Sequence, residues 1–401
     1  MNLRKLLLLG LIHFFVDTYA SIFGPLVALA RFSDQRIGVL GTLFGVATSF
    51  TQLAFGYLAD RFNVRLLILC GLGMAAIFMS TAGNLVSQPV AFAAALMLGG
   101  LGIAAFHPAA VVMAARTLPE RPTAAVSVFI AMGTIGFAAG PVLYMLFART
   151  YGLNSTFILL VPGLLLLPLV LKLPRRRPEE RRRESPSSRL AGVRSFLIAY
   201  GPALLPIYIL VVVRSMVQTS VIQFLPKLML ERGHTTTEAG LASTVYTAGA
   251  ALGMLCCGLL ATRYNRRWLQ AISLIAGVPV TLLFLRWSTL PLIPVLGLLG
   301  MAGFFVLSTN TMHIVMGQEL SRRHASTISS LVMGFGWGIG SLGSYLVGVL
   351  ADPQRLGLGL EVALSIVCVL PLLTLPLTFY LRSRPIEAAV EGAARAEPVP
   401  G

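Results

Sequence analysis

Charge is scarce in this chain. Asp, Glu, Lys and Arg together make up 11% of its 401 residues, against about 25% in a soluble domain. Hydrophobic residues make up 56% and the mean hydropathy is +0.82. So little polar surface excludes a protein that faces water on every side, and lipid must be part of its solvent. Acidic residues are scarcest, 15 against 31 basic ones. In a soluble protein the resulting net charge of +16 would suggest nucleic acid. Here the basic residues fall in short segments between apolar runs, so no nucleic-acid partner is expected and the charge reads as orientation in a membrane. There are only four cysteines, Cys70, Cys256, Cys257 and Cys368, all inside apolar runs. No CxxC pair occurs, so neither a disulfide frame nor a metal site is expected, and the thiols read as small buried hydrophobes. A GxxxxGK[ST] loop, a nucleophile triad and a sizeable soluble domain are also missing. No cofactor and no enzymatic activity are expected, and any work must draw on an ion or solute gradient.

What the chain has instead is long apolar segments. A helix needs roughly 20 apolar residues to cross the hydrocarbon core. Twelve such segments can be placed, centred near Asp17, Ala47, Met74, Ile103, Gly136, Val161, Leu210, Ala250, Ala276, Met301, Gly338 and Leu370. The first could be mistaken for a signal peptide because Arg4 and Lys5 precede it. It runs to about Ala30 and contains Asp17, which fits an uncleaved transmembrane helix better.

One connection differs from the others. KLPRRRPEERRRESPSSRLAGVR, from Lys172 to Arg194, is rich in Arg, Pro, Ser and Glu and cannot bury a core. It divides the chain into a six-helix bundle over 1–172, a basic linker over 173–195, a second six-helix bundle over 196–383 and a tail over 384–401 expected to be disordered. With the N-terminus placed in the cytoplasm, 23 of the 31 basic residues lie on the cytoplasmic side, seven lie opposite, and Arg214 lies within a helix. That imbalance puts both termini in the cytoplasm and supports the count of twelve. The expected class is an all-α, multi-pass protein of a bacterial inner membrane, monomeric in the bilayer.

The two halves repeat. Phe55–Arg65 (FGYLADRFNVR) aligns with Cys257–Arg267 (CGLLATRYNRR), with identity at Gly56/Gly258, Leu58/Leu260, Ala59/Ala261, Arg61/Arg263, Asn63/Asn265 and Arg65/Arg267. Leu98–Phe106 aligns with Leu296–Phe304, and Pro25 with Pro226. The last register sets Thr18 on Thr219, Asp17 on Gln218 and His13 on Arg214. A repeat of six helices gives parallel halves related by an axis along the membrane normal.

The loop Gly56-Tyr-Leu-Ala-Asp60-Arg61-Phe-Asn-Val-Arg65, with its degenerate copy at Gly258–Arg267, resembles the signature of the major facilitator superfamily. The copy has Thr262 where the first loop has Asp60. Gly136-Phe-Ala-Ala-Gly140-Pro141 resembles the GxxxGP motif of antiporters in that superfamily, without its trailing glycine pair. His13-Phe-Phe-Val-Asp17 and Phe106-His107-Pro108-Ala-Ala resemble the fosmidomycin-resistance group of bacterial efflux proteins. The resemblance covers roughly residues 5–383 and implies export in exchange for protons. It also implies a latch-like role for Asp60, Arg61 and Arg65, whose contacts differ between access states.

An ionisable side chain at mid-bilayer costs roughly 2.5–3.5 kcal/mol on insertion scales, so the deep ones carry information. His13 and Asp17, at i and i+4, share one face of the first helix. Asp17 lies about eleven residues, roughly 17 Å, inside its segment. A carboxyl there is driven toward its neutral form unless a cation lies beside it, a property suited to carrying a proton, with His13 tuning it. Arg214, mid-way along the seventh helix, stays charged and must be paired or face water. The repeat places it across a shared cavity from His13, where it would clamp an anionic solute or pair with Asp17. Gln218, His107, Asn310, His313, Gln52 and Tyr19 are further candidates for the solute-facing wall. For each, a static polar contact between helices is the competing reading. Glycines at 133, 136 and 140, and again at 336, 340 and 343, line one face of a helix in each half and suit close packing, static or rocking. The expected function is proton-coupled efflux of a small organic compound, anionic or drug-like. An importer or facilitator on the same fold, and a non-transporting receptor or scaffold, are the alternatives.

Overall fold

A computed structural model describes residues 3–61, 63–173, 186–287, 289–320, 328 and 331–380, without the side chains of Asp60, Arg61, Thr123, 186–199, Thr311, Leu331 and Met333. Among the described residues it is all-helical. Eleven helices are long and apolar enough to span a membrane: α1 (Leu3–Leu29), α2 (Asp34–Ala59), α3 (Val64–Leu85), α4 (Pro89–Thr117), α5 (Ala124–Tyr151), α6 (Leu153–Val170), α7 (Tyr200–Glu231), α8 (Thr236–Leu260), α9 (Arg266–Arg286), α10 (Leu292–Leu320) and α12 (Leu360–Tyr380). The shorter apolar helix α11 (Gly336–Ala351) makes twelve. Each contains one of the segment centres expected from the sequence. A π-helical turn at Leu331–Phe335 leads directly into α11. The helix that carries α7 begins at Pro186, so residues 186–195 of the expected linker are helical. The linker's residues 174–185 and the tail lie outside the described residues.

The repeat seen in the sequence is a repeat of contacts. In the first half α1 packs on α5 and α3 on α4; in the second, α7 packs on α11 and α9 on α10. Asn63 and Asn265, identical in the alignment, cap the N-termini of α3 and α9, accepting from the backbone N–H of Arg65 at 3.1 Å and of Arg267 at 3.0 Å. The aligned threonines also match: Thr18 donates to the Gly136 carbonyl on α5 and Thr219 to the Gly340 carbonyl on α11, both at 3.1 Å. These bonds need glycine on the receiving helix. A Cβ on Gly140 would stand 2.8 Å from the Thr18 carbonyl, and one on Gly343 would stand 2.5 Å from the Met216 carbonyl.

The halves meet along two related seams, α2 with α11 and α5 with α8, and along α1 with α7. Polar contacts across them gather at the end that carries the α1–α2, α5–α6, α7–α8 and α11–α12 connections. Lys227 Nζ lies 2.5 Å from Asp34 Oδ1 and 3.3 Å from the Phe32 carbonyl. Asp352 Oδ2 accepts from the Gln35 backbone N–H at 3.2 Å, so a carboxylate of the second half caps the first turn of α2. Arg149 reaches Thr237 at 2.9 Å. Gly38 and Gly348 let α2 and α11 touch: a Cβ on Gly348 would stand 2.6 Å from the Asp34 carbonyl.

Candidate functional site

His13, Asp17 and His107 form one cluster inside the first half. Asp17 Oδ2 lies 3.2 Å from His13 Nε2, and Oδ1 lies 3.0 Å from His107 Nε2. The i, i+4 spacing on α1 supplies the first contact. The second depends on α4 crossing α1 at His107. The other nitrogen of each ring is fixed: His13 Nδ1 donates to the Phe129 carbonyl and His107 Nδ1 to the Ile103 carbonyl, both at 2.8 Å. A carbonyl only accepts, so both Nδ1 atoms carry hydrogen and both Nε2 atoms face the carboxylate. The His13 ring stacks on Phe129, centroids 4.0 Å apart. His107 is the most open member, with 26% of its side chain accessible, against 15% for Asp17 and 6% for His13.

Two further residues build this site, and neither was a site candidate from the sequence. Phe129 provides the carbonyl and the stacking face. Gly133 leaves the room: a Cβ there would stand 2.6 Å from Asp17 Oδ2 and would collide with the His13 ring. Gly133 could be noticed only as one of a stripe of small residues. No spacing on one helix encodes its position opposite an acidic residue on another.

Arg214 is buried inside the second half. Its Nη1 donates to the Val306 carbonyl at 2.6 Å and to Ser273 Oγ at 3.0 Å, and its Nη2 has no partner among the described residues. The carboxylate of Asp17 is not among its contacts: each group is held within its own half. Gln218 meets Asn310 at 3.1 Å between α7 and α10, the helix pair that corresponds to α1 and α4. His313 is fully buried against the Gln270 amide, with Nδ1 unpartnered among the described residues.

The remaining candidates lie elsewhere. Tyr19 donates to the Leu159 carbonyl at 2.7 Å and accepts from the Gly163 N–H at 3.1 Å, tying α1 to α6. Gln52 bonds back to the Thr48 carbonyl of its own helix at 2.7 Å. Arg65 donates to the Leu171 carbonyl at 2.7 Å and so caps the C-terminus of α6. Gly56 sits where a Cβ would be 3.9 Å from Pro108. Gly136 and Gly140 bring α5 onto α1, and the Pro141 carbonyl packs near Gly240 of α8. The side chains of Asp60 and Arg61 lie outside the described residues.

The family profile of the major facilitator superfamily matches residues 6–342 and 207–399. The chain belongs to that superfamily, and it is a multi-pass membrane transporter of a small-molecule solute, not an enzyme. Over 354 residues it is 24% identical to the fosmidomycin resistance protein of Escherichia coli (strain K12), covering 86% of this chain and 84% of that one. The MFS-type transporter YfnC of Bacillus subtilis (strain 168) is 30% identical over 142 residues, covering 35% and 32% of the two chains. Two solved structures share the fold at 16% identity. One is the nucleoside transporter NupG, with a TM-score of 0.79 over 94% of this chain and 99% of that one. The other is a D-xylose-proton symporter, with a TM-score of 0.70 over 93% and 96%.

Proposed function

We propose that the protein exports a small organic compound, anionic or drug-like, across a bacterial inner membrane in exchange for protons, as a monomer with both termini in the cytoplasm. The observation that carries this reading is Asp17 held between two imidazoles inside the membrane. Both Nδ1 hydrogens are committed to backbone carbonyls, so exchangeable protons reside on the two contacts to Asp17. An N···O contact attracts only when a proton lies in it. Loss of one proton sets a nitrogen lone pair against the carboxylate, and that contact opens. Proton loading is thereby tied to how α1 sits against α4, the kind of differential contact that biases two access states. Arg214, whose Nη2 is buried and without a partner among the described residues, would recognise an anionic group once the access state exposes it. The likeness to a fosmidomycin resistance protein supports export of a drug-like compound. The distribution of basic residues supports an outward position for the Lys227–Asp34 and Asp352–Gln35 contacts, where they would close the external end.

The test is flux in reconstituted vesicles under an imposed pH gradient, with anionic and drug-like solutes screened in both directions. Coupled export that disappears in Asp17→Asn supports the reading. Uptake down the proton gradient, or flux indifferent to it, would favour the importer or facilitator.

A further inference from the structure

We propose that the His13–Asp17–His107 cluster is also a binding site for a divalent transition-metal ion, with Zn2+ as the type case. The inference concerns the same side chains as the proposed function but does not rest on proton coupling, since it follows from the disposition of the three ligand atoms and their supports.

The first support is spacing. The ligand atoms of His13, Asp17 and His107 all lie within 4.8 Å of one another. Zinc binds imidazole nitrogen and carboxylate oxygen at about 2.0–2.2 Å, which sets neighbouring ligand atoms of a tetrahedral site roughly 3.3 Å apart. His13 Nε2 to Oδ2 and His107 Nε2 to Oδ1, 3.2 and 3.0 Å, are each of that size, one on each oxygen of the carboxylate. Placing an ion between the three groups requires the Asp17 carboxylate to turn toward it and the two rings, 5.2 Å apart at their centroids, to close on it.

The second support is the outer shell. A metal-binding histidine almost always donates its other ring N–H to a carbonyl or carboxylate, which fixes tautomer and orientation. Both rings do so here, to Phe129 and Ile103. Each therefore presents Nε2, the nitrogen that faces Asp17, as the ligand.

The third is room and access. Gly133 places no side chain over the cluster, and a Cβ there would stand 2.6 Å from Asp17 Oδ2. The accessible edge of His107 gives an aqueous ion a way in and leaves a fourth position for water, the open coordination of a three-ligand zinc site. The donor set also selects. Calcium takes six to eight oxygens and magnesium an octahedron of them, whereas two imidazoles and one carboxylate suit zinc and its first-row neighbours.

The experiment is equilibrium binding of Zn2+ alone to the purified full-length chain in detergent, free of any polyhistidine tag, by competition with a chromogenic chelator. The expected result is one ion per chain, weakened by at least about tenfold, the scale on which even outer-shell partners count, in His107→Gln and in Asp17→Asn. His234→Gln, remote from the cluster, should bind as the parent does. Gly133→Ala intrudes from the opposite side and should weaken binding with all three ligands present. One-to-one binding that persists in both ligand variants, or no binding by the parent, would overturn the proposal. Since no flux is measured, a failure of proton coupling leaves this result standing, and the reverse.

Discussion

Asp17 and His107 meet at 3.0 Å between α1 and α4, and the corresponding helices of the other half, α7 and α10, meet through Gln218 and Asn310 at 3.1 Å. Asp17 and Gln218 are aligned positions, but the register that sets Phe106 on Phe304 puts His107 on Phe305, so the second half meets its partner further along α10 and with different chemistry. One pair is ionisable and the other is an amide pair that gains and loses no proton. Under the proposed function this asymmetry would put ion handling in the first half, with Arg214 as the deep cation of the second.

His13 and His107 should separate when mutated. His13 is the buried member, and its N–H satisfies the Phe129 carbonyl. Removing it leaves one side of the buried Asp17 unpaired, at a cost of about 1–3 kcal/mol. His107 is partly accessible, so His107→Gln should leave thermal stability near that of the parent while proton-coupled flux falls. Thermal unfolding and flux measured on the same preparations check this. A double-mutant cycle between Asp17→Asn and His107→Gln should show a coupling of about 0.5–3 kcal/mol. Additive effects would mean that the two groups act separately.

Gly133→Ala adds one methyl group where none fits, against His13 and Asp17. Overpacking of this kind costs about 1–3 kcal/mol, and here it also displaces the cluster. Coupled flux should fall by more than in Gly73→Ala, whose added carbon would meet Leu167 at an ordinary 3.8 Å. Equal activity in the two variants would show that the cluster tolerates displacement.

Twelve spans, two repeated halves and the pairing of His13 with Asp17 are legible in the sequence because each rests on short-range spacing or on depth in an apolar run. Asn63 and Asn265 were visible as identities, and their shared role as caps explains why those positions match. His107 as the partner of Asp17 was not legible, since ninety positions separate them and only the crossing of α1 and α4 joins them. The repeat alignment placed Arg214 opposite His13, yet a register says which helix face a residue occupies and not how far a long side chain bends back. Arg214 turns to Ser273 and Val306 within its own half. The Asp352 cap on α2 was equally hidden, because a loop carboxylate between two spans has no pattern that names its partner.

Arg214→Lys keeps the charge but loses the planar fork. Lysine can replace one of the bonds made by Nη1 and cannot present a second nitrogen to a solute. If the free Nη2 recognises an anion, affinity should fall by about 1.5–3 kcal/mol, the worth of a hydrogen bond to a charged group. Solute binding measured by calorimetry decides this, and unchanged affinity would make Arg214 a structural tie between α7, α9 and α10.

The closing contacts between the halves should set the balance of access states. Lys227 and Asp34 are largely but not wholly buried, 14% and 11% accessible. Breaking the pair lies between the small effect of an exposed bridge and the larger one of a buried bridge. In Lys227→Ala a population opened at this end should rise by about tenfold, read as a longer distance between spin labels at Gln88 and Leu356 on opposite halves. Asp352→Ala, which removes the acceptor altogether, should act in the same direction by about fivefold, the scale of a lost helix cap. The Asp352 carboxyl is held below the usual carboxylate range, first by the Gln354 N–H and then by the Gln35 N–H from the other half. A depressed value means that its contribution to closure is complete above the ordinary carboxylate range, near 3.8, and is lost as pH falls through the lowered one. The label distance should therefore be unchanged by Asp352 between pH 5 and 8, and opening at mild acid in the parent that vanished in Asp352→Asn would contradict this assignment.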